Sequence, residues 1–430
     1  MFPVFTISFH HSKEVFVCCL IVSLRCVFWV GLSIRGGGND SPRPASQRAA
    51  AFILTAAMLT TLTAPAFAET WDIEKGDITV KAGDTEGTNK VSQGTIIDKE
   101  DTGTVITGKS DKNTVTIEAE DEGDKVEVTL KDLNIDASRG SEAAVSVTGK
   151  GDTNIELDGD NELKGGDRHA GLEHNQTVDG EGNVTSGKLT IQDDNDKAGS
   201  LTATGGYFGA GIGGGSKNAG QVTITGGTIT AISGDGAGIG GGQGNMSSNA
   251  GNADIEISGG TIEATGGYTS AGIGGGCYGD ATIKITGDAV IKNAAGGDYG
   301  AGIGGGGGGN GNVTISGNAK IENAQGGITG SGIGGGNGAS GTVVIKDDST
   351  VTATGGEAGA GIGGGYAGNA KNIIIRGHSK VKATACNGAA IGGGSAGWGS
   401  YYGGSAKGIV ICDHATVAAR SDTGHGAAIG

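Results

Sequence analysis

Apolar residues fall on a repeating triple through most of the chain. QVTITGGTITA sets Ile224 and Ile229 before Ile239, ADIEISGGTIEA sets Ile257 and Ile262 before Ile273, and TIKITGDAVIKN sets Ile285 and Ile291 before Ile303. The series continues as Ile315/Ile321/Ile333, Ile345/Val351/Ile362, Ile375/Val381/Ile391 and Ile411/Val417/Ile429. It also runs backwards as Ile191/Leu201/Ile212, Leu157/Leu163/Leu172 and Leu130/Ile135/Val145. From Ile212 to Ile391 the third members span six intervals in 179 residues, close to 30 each. The first two members sit in runs such as V-T-I-T and T-I-T-A, whose period of two and β-branched content signal strands. No stretch after residue 69 carries a convincing helical period.

The third member sits in GAGIGGG, residues 209–215, which recurs at 236–242, 300–306 and 359–365. Near-copies stand at 270–276, 330–336 and 388–394, and AGLEHN at 170–175 takes the same place without the glycines. Pairs such as GG, GD, GN and DD separate the first two members, and these residues tolerate the left-handed backbone of a tight corner. Three short strands per coil of about 30 residues predict an all-β, right-handed parallel β-helix. About ten coils over 126–430, stacked at the ordinary strand spacing, would make a rod roughly 45–50 Å long. Residues 69–125 are expected to form an irregular cap and first coils, with Ile78, Ile97, Ile106 and Ile117 marking them. A β-sandwich array would not hold one triple in so even a register.

Composition supports an elongated repeat over a compact core. The 430 residues include 92 glycines but only 4 prolines, and no G-X-Y period, so collagen is excluded. Aromatics are 4% of the chain. Residues 69–200 hold 31 acidic and 14 basic side chains, whereas 201–430 hold 13 and 11. An acidic section of that size argues against nucleic acid as a partner. It suits solubility outside the cell, or cation binding.

Residues 48–68, RAAAFILTAAMLTTLTAPAFA, read as a signal peptide with Ala66-Phe67-Ala68 as the cleavage site. The mature chain is then secreted or held at the cell surface. Residues 1–47 read as an upstream extension from a mis-assigned start, with an N-terminal anchor over Val15–Ile34 as the alternative. Capping coils and anchoring surface domains are expected beyond Gly430. Cys277, Cys386 and Cys412 have neither disulfide-framework nor metal-site spacing.

VEVTLKDLNIDASRGSEAAVSVTG, TNIELDGDNELKGG and GKLTIQDDNDKAGSLTATGGYFGAGIGGG, within residues 126–215, resemble the carbohydrate-binding β-helix domain of clostridial-type secreted proteins, which shares the pectate-lyase fold. The later GAGIGGG copies are similar to repeats of large bacterial surface proteins. The resemblance implies adhesion to plant-type or host polysaccharide, in some cases with bound calcium. This chain departs from the pattern in replacing polar coil positions with glycine from 209 onward.

Candidate chemistry is sparse. No glycine motif is followed by GK[ST] or lies between a strand and a helix, so nucleotide binding is disfavoured. Asp193, Asp194 and Asp196 in DDNDKAG offer hard oxygen ligands for calcium, against the alternative of a solvated acidic turn. Tyr207, Phe208, Tyr268 and Tyr299 stand four or five residues before a motif isoleucine, and Tyr366, Trp398, Tyr401 and Tyr402 follow a glycine run, as does Tyr278. Exposed, these rings would stack on sugar; the alternative is that they cap coil edges. His169, His174, His378, His414 and His425 share no spacing between coils, and Arg139, Arg168, Arg376 and Arg420 are scattered. A column of Thr223, Glu256, Lys284, Thr314, Val344 and Ile374 is too mixed for an ice-binding array. The sequence reading is thus a non-catalytic, exported, carbohydrate-binding rod needing no cofactor, with a polysaccharide lyase relative or a structural spacer as alternatives.

Overall fold

The computed structural model describes residues 68–195, 197–244, 251–396, 403–422 and 425–430. The upstream extension and all of the leader but Ala68 lie outside them. The described chain winds as a right-handed parallel β-helix of three sides. In one coil the sides are Gly220–Ile224, Thr228–Ile232 and Ile239–Gly240; in the next they are Ala253–Ile257, Thr261–Thr265 and Ile273–Gly274. The first two sides join in a 22-stranded sheet and the third forms a 13-stranded sheet. The one helical turn among the described residues is the 3-10 segment Ile73–Lys75.

Stacking places like on like. On the third side Val145 pairs with Leu172, Leu172 with Ile212, and Ile212 with Ile239, and the column runs on through Ile273, Ile303, Ile333, Ile362 and Ile391 to Ile429. It also extends backwards to Val115 and Ile78. Twelve coils result, two more than the ten regular triples. Most inward side chains are flanked by outward polar ones, which is why the strands read as alternating. The mixed column from Thr223 to Ile374 lies in one register as expected.

Two anchors shift in the glycine-poor coils. Ile191 stacks on Ile155, not Leu157, and Leu201 stacks on Asn161, with Leu163 falling opposite Ala203. The physical reason lies in the continuous strands Lys125–Asp136 and Asp152–Lys164, which turn the corner without breaking and so carry an extra inward residue. Asn161 is 2% exposed, yet its side chain is satisfied. It accepts the Leu133 N–H at 3.0 Å and donates to the Ser200 carbonyl at 3.0 Å, so it costs far less than an unpaired amide would.

At the N-terminal end, Asn89–Gln93 pairs antiparallel with Ile78–Ala82 on one side and with Ile96–Asp101 on the other. This hairpin covers an edge that would otherwise offer bare backbone groups. Ile97 therefore marks the hairpin and not a coil, and it is exposed. Buried Asp101 pins the hairpin, accepting from the Trp71 indole at 2.8 Å and from the Glu69 N–H at 2.9 Å. Cys277, Cys386 and Cys412 form no disulfide among the described residues.

Candidate functional site: an aromatic corner beside the glycine strands

The third side is only two residues wide from Ile212 onward. Its entrance and exit corners are consequently neighbours. In several coils the exit residue donates its N–H to the entrance carbonyl of the preceding one, as from Gln243 to Phe208 at 2.8 Å, Gly307 to Thr269 at 2.7 Å, Asn337 to Tyr299 at 2.8 Å and Tyr366 to Thr329 at 2.7 Å. Aromatics before and after the glycine motif thereby share one edge of the rod.

Tyr268 and Tyr299, one coil apart, meet edge to face with ring centroids 5.2 Å apart and hydroxyl oxygens 3.5 Å apart. That hydrogen bond raises the Tyr268 phenol above its ordinary pKa. Tyr207 and Phe208 pack edge to face at 4.5 Å, and the Arg168 guanidinium lies 5.5 Å from the centre of the Phe208 ring. Tyr278 lies against Gly308 of the following coil, where an added Cβ would stand 2.6 Å from the ring. Tyr207 is 62% exposed and Tyr268 54%, whereas Phe208, Tyr299 and Tyr366 are half-buried. Trp398, Tyr401 and Tyr402 lie outside the described residues.

The acidic loop folds back onto Glu156 of the preceding coil. Its N–H groups turn toward Glu156, whose carboxylate accepts from Asp194 N–H at 2.9 Å, Asn195 N–H at 3.0 Å and the Asn195 side-chain amide at 2.7 Å. Asp158 is held by Lys197 at 2.9 Å and Lys131 at 3.5 Å, and the hydrogen bond from Lys197 leads in keeping its carboxyl below the usual range. No set of three His, Cys, Asp or Glu able to hold a metal occurs among the described residues. Asp196 lies outside them.

Two features escaped the sequence. His378 and His414 stack in successive coils with centroids 4.9 Å apart and planes 12° apart. Their coil is longer than its neighbours, which hid the shared position. The stretch AGLEHN, in turn, buries its polar groups. Glu173 pairs with the position of Gly213 and accepts from His169 Nδ1 at 2.9 Å, Ala170 N–H at 3.0 Å and Asn175 Nδ2 at 2.9 Å.

His174, beside it, is 2% exposed and is kept neutral by burial, which pushes its pKa below 6.5. The unfolded chain then binds the proton better, so stability is full above pH 6.5 and falls as the pH drops below it. His174→Gln should flatten that part of the slope, read as urea midpoints at about pH 7.5 and about pH 5.5. An unchanged slope would remove His174 as the cause.

Comparison with known families bears on the repeats themselves. The beta helix repeat family matches at 197–216, 222–243, 255–277, 343–366 and 373–395. The chain carries a β-helix repeat domain. Four of the matched segments run from the first side of a coil through its glycine strand, and 197–216 begins at the second side, so the repeat unit includes the aromatic corner. No curated protein and no solved structure matches the chain significantly.

Proposed function

We propose that the β-helix repeat domain is a non-catalytic carbohydrate-binding rod, exported by its leader to act outside the cell or on its surface, with polysaccharide as its partner. The observation that carries this reading is the single edge shared by Tyr207, Phe208, Tyr268, Tyr278, Tyr299 and Tyr366. Aromatic faces left in water offer apolar surface to the C–H faces of sugar rings, while their hydroxyls can hydrogen-bond at the rim. These aromatics are spread over coils from Ile212 to Ile362, five steps or roughly 24 Å at the ordinary strand spacing. That suits an extended polymer better than a small metabolite. The carboxylates of Glu156 and Asp158 beside the 193–197 loop already accept from its N–H groups and from Lys197, so retention is expected to be independent of calcium.

The test is retention of the full secreted chain on a panel of insoluble polysaccharides, with and without a chelator. Tyr268→Ala should weaken retention about tenfold, the loss of one stacked ring. Failure of every polymer to retain the wild-type chain would overturn the reading.

A further inference from the structure

The third side changes width along the rod. In the N-terminal coils its strands are five residues long: Ile78–Ala82, Val115–Ala119 and Val145–Gly149. From Ile212 they are two. The step falls at Leu172–His174, and the chain leaves it in a loop closed on itself by the Val178–Val184 bridge and a 2.8 Å contact between the Thr177 and Thr185 hydroxyls. A cleft of about 650 Å³ lies between that loop and the exposed tails of the wider strands. This volume is in the ordinary range for a small-molecule site.

The cleft has a polar floor and a balanced rim. His174 Nδ1 lies 2.8 Å from the Gln221 carbonyl oxygen and so must donate to it. Nε2 is left as an acceptor, with no protein hydrogen bond among the described residues. Lys81 is tied to Glu118 at 2.9 Å. Glu120 and Lys150, both exposed at the rim, make no side-chain hydrogen bond or ion pair among the described residues. Two lysines and two glutamates leave no net charge to attract an ion.

We propose that this cleft is a second binding site, taking one or two rings of an uncharged sugar. A ligand hydroxyl donates to His174 Nε2, another donates to Glu120, and Lys150 donates to a ring or hydroxyl oxygen. The buried imidazole supplies the selectivity, since a ligand without a matching hydroxyl would leave Nε2 dry and unpaired. The site stands apart from the aromatic corner and does not depend on it.

The test is calorimetric and NMR titration of the full secreted chain with a panel of neutral mono- and disaccharides, and with galacturonate as the charged probe. At least one neutral sugar should bind and shift the His174 ring resonances, and Glu120→Gln and Lys150→Ala should each weaken it about tenfold. Both side chains are exposed, so these variants fold. Tyr268→Ala should leave this binding unchanged, which separates its failure from that of the corner. Absence of binding by every neutral sugar at about 10 mM, tighter binding of galacturonate, or indifference to both rim variants would overturn the proposal.

Discussion

Gly304→Ala is expected to cost about 3–5 kcal/mol and to open the middle of the rod. Gly304 has φ +143°, and a Cβ there would stand 1.9 Å from the carbonyl oxygen of Gly334 in the next coil. That oxygen accepts the Gly305 N–H at 2.9 Å, so moving it aside breaks a buried rung as well as straining the backbone. Gly338→Ala is the matched control. Its φ is +72°, but nothing lies within 4 Å of the added carbon, so it should cost only about 1 kcal/mol. Denaturant unfolding followed by circular dichroism compares the two, and hydrogen exchange locates the opening. Equal losses would mean that backbone conformation alone, and not the closeness of the coils, selects glycine. The same contact recurs at Gly274 and Gly334, each with a Cβ position about as close to the next carbonyl. The repeat of GAGIGGG is therefore a repeat of one steric requirement.

That requirement explains how much the sequence disclosed. The third-side column was legible residue by residue from Val145 to Ile429, most plainly from Ile212 onward, because there one isoleucine per coil stands alone among glycines and nothing competes with it. The first and second sides were legible only where a glycine or Asn/Asp corner separates the strands. Where Asp152–Lys164 turns without a break, Leu157 and Leu163 are buried and stack on Leu130 and Ile135 as read, but the following coil sets Ile191 on Ile155 and Leu201 on Asn161, a polar side chain no hydropathy pattern would choose. The aromatic corner was half legible. The offset of Tyr207, Tyr268 and Tyr299 before the motif showed in the spacing, but joining them to Tyr278 and Tyr366 needs the hydrogen bonds that fold exit onto entrance. The cleft was illegible. Lys81, Glu120, Lys150 and His174 come from four coils, and only the change in strand width brings them together.

Ile333→Ala should cost about 2–5 kcal/mol, the usual range for emptying a buried aliphatic site. Ile333 is fully buried between Ile303 and Ile362, and its strand is two residues long, so no second inward side chain on that side can relax into the hole. Ile328→Ala, five residues earlier and 52% exposed, should change stability by less than about 0.5 kcal/mol. Coils contact only their neighbours, so the loss should be local and unfolding need not remain two-state. Hydrogen exchange across 303–362 is then the proper readout, and protection unchanged there would refute the placement of the core. The variant also probes the corner without touching it. Asn337, four residues after Ile333, holds the Tyr299 carbonyl, and Tyr299 holds the Tyr268 hydroxyl. If the aromatic edge retains polysaccharide as a rigid platform, Ile333→Ala should weaken retention with every ring still present. If retention is unaffected while the coils open, the rings must act singly, and the glycine strand would serve only to build the rod.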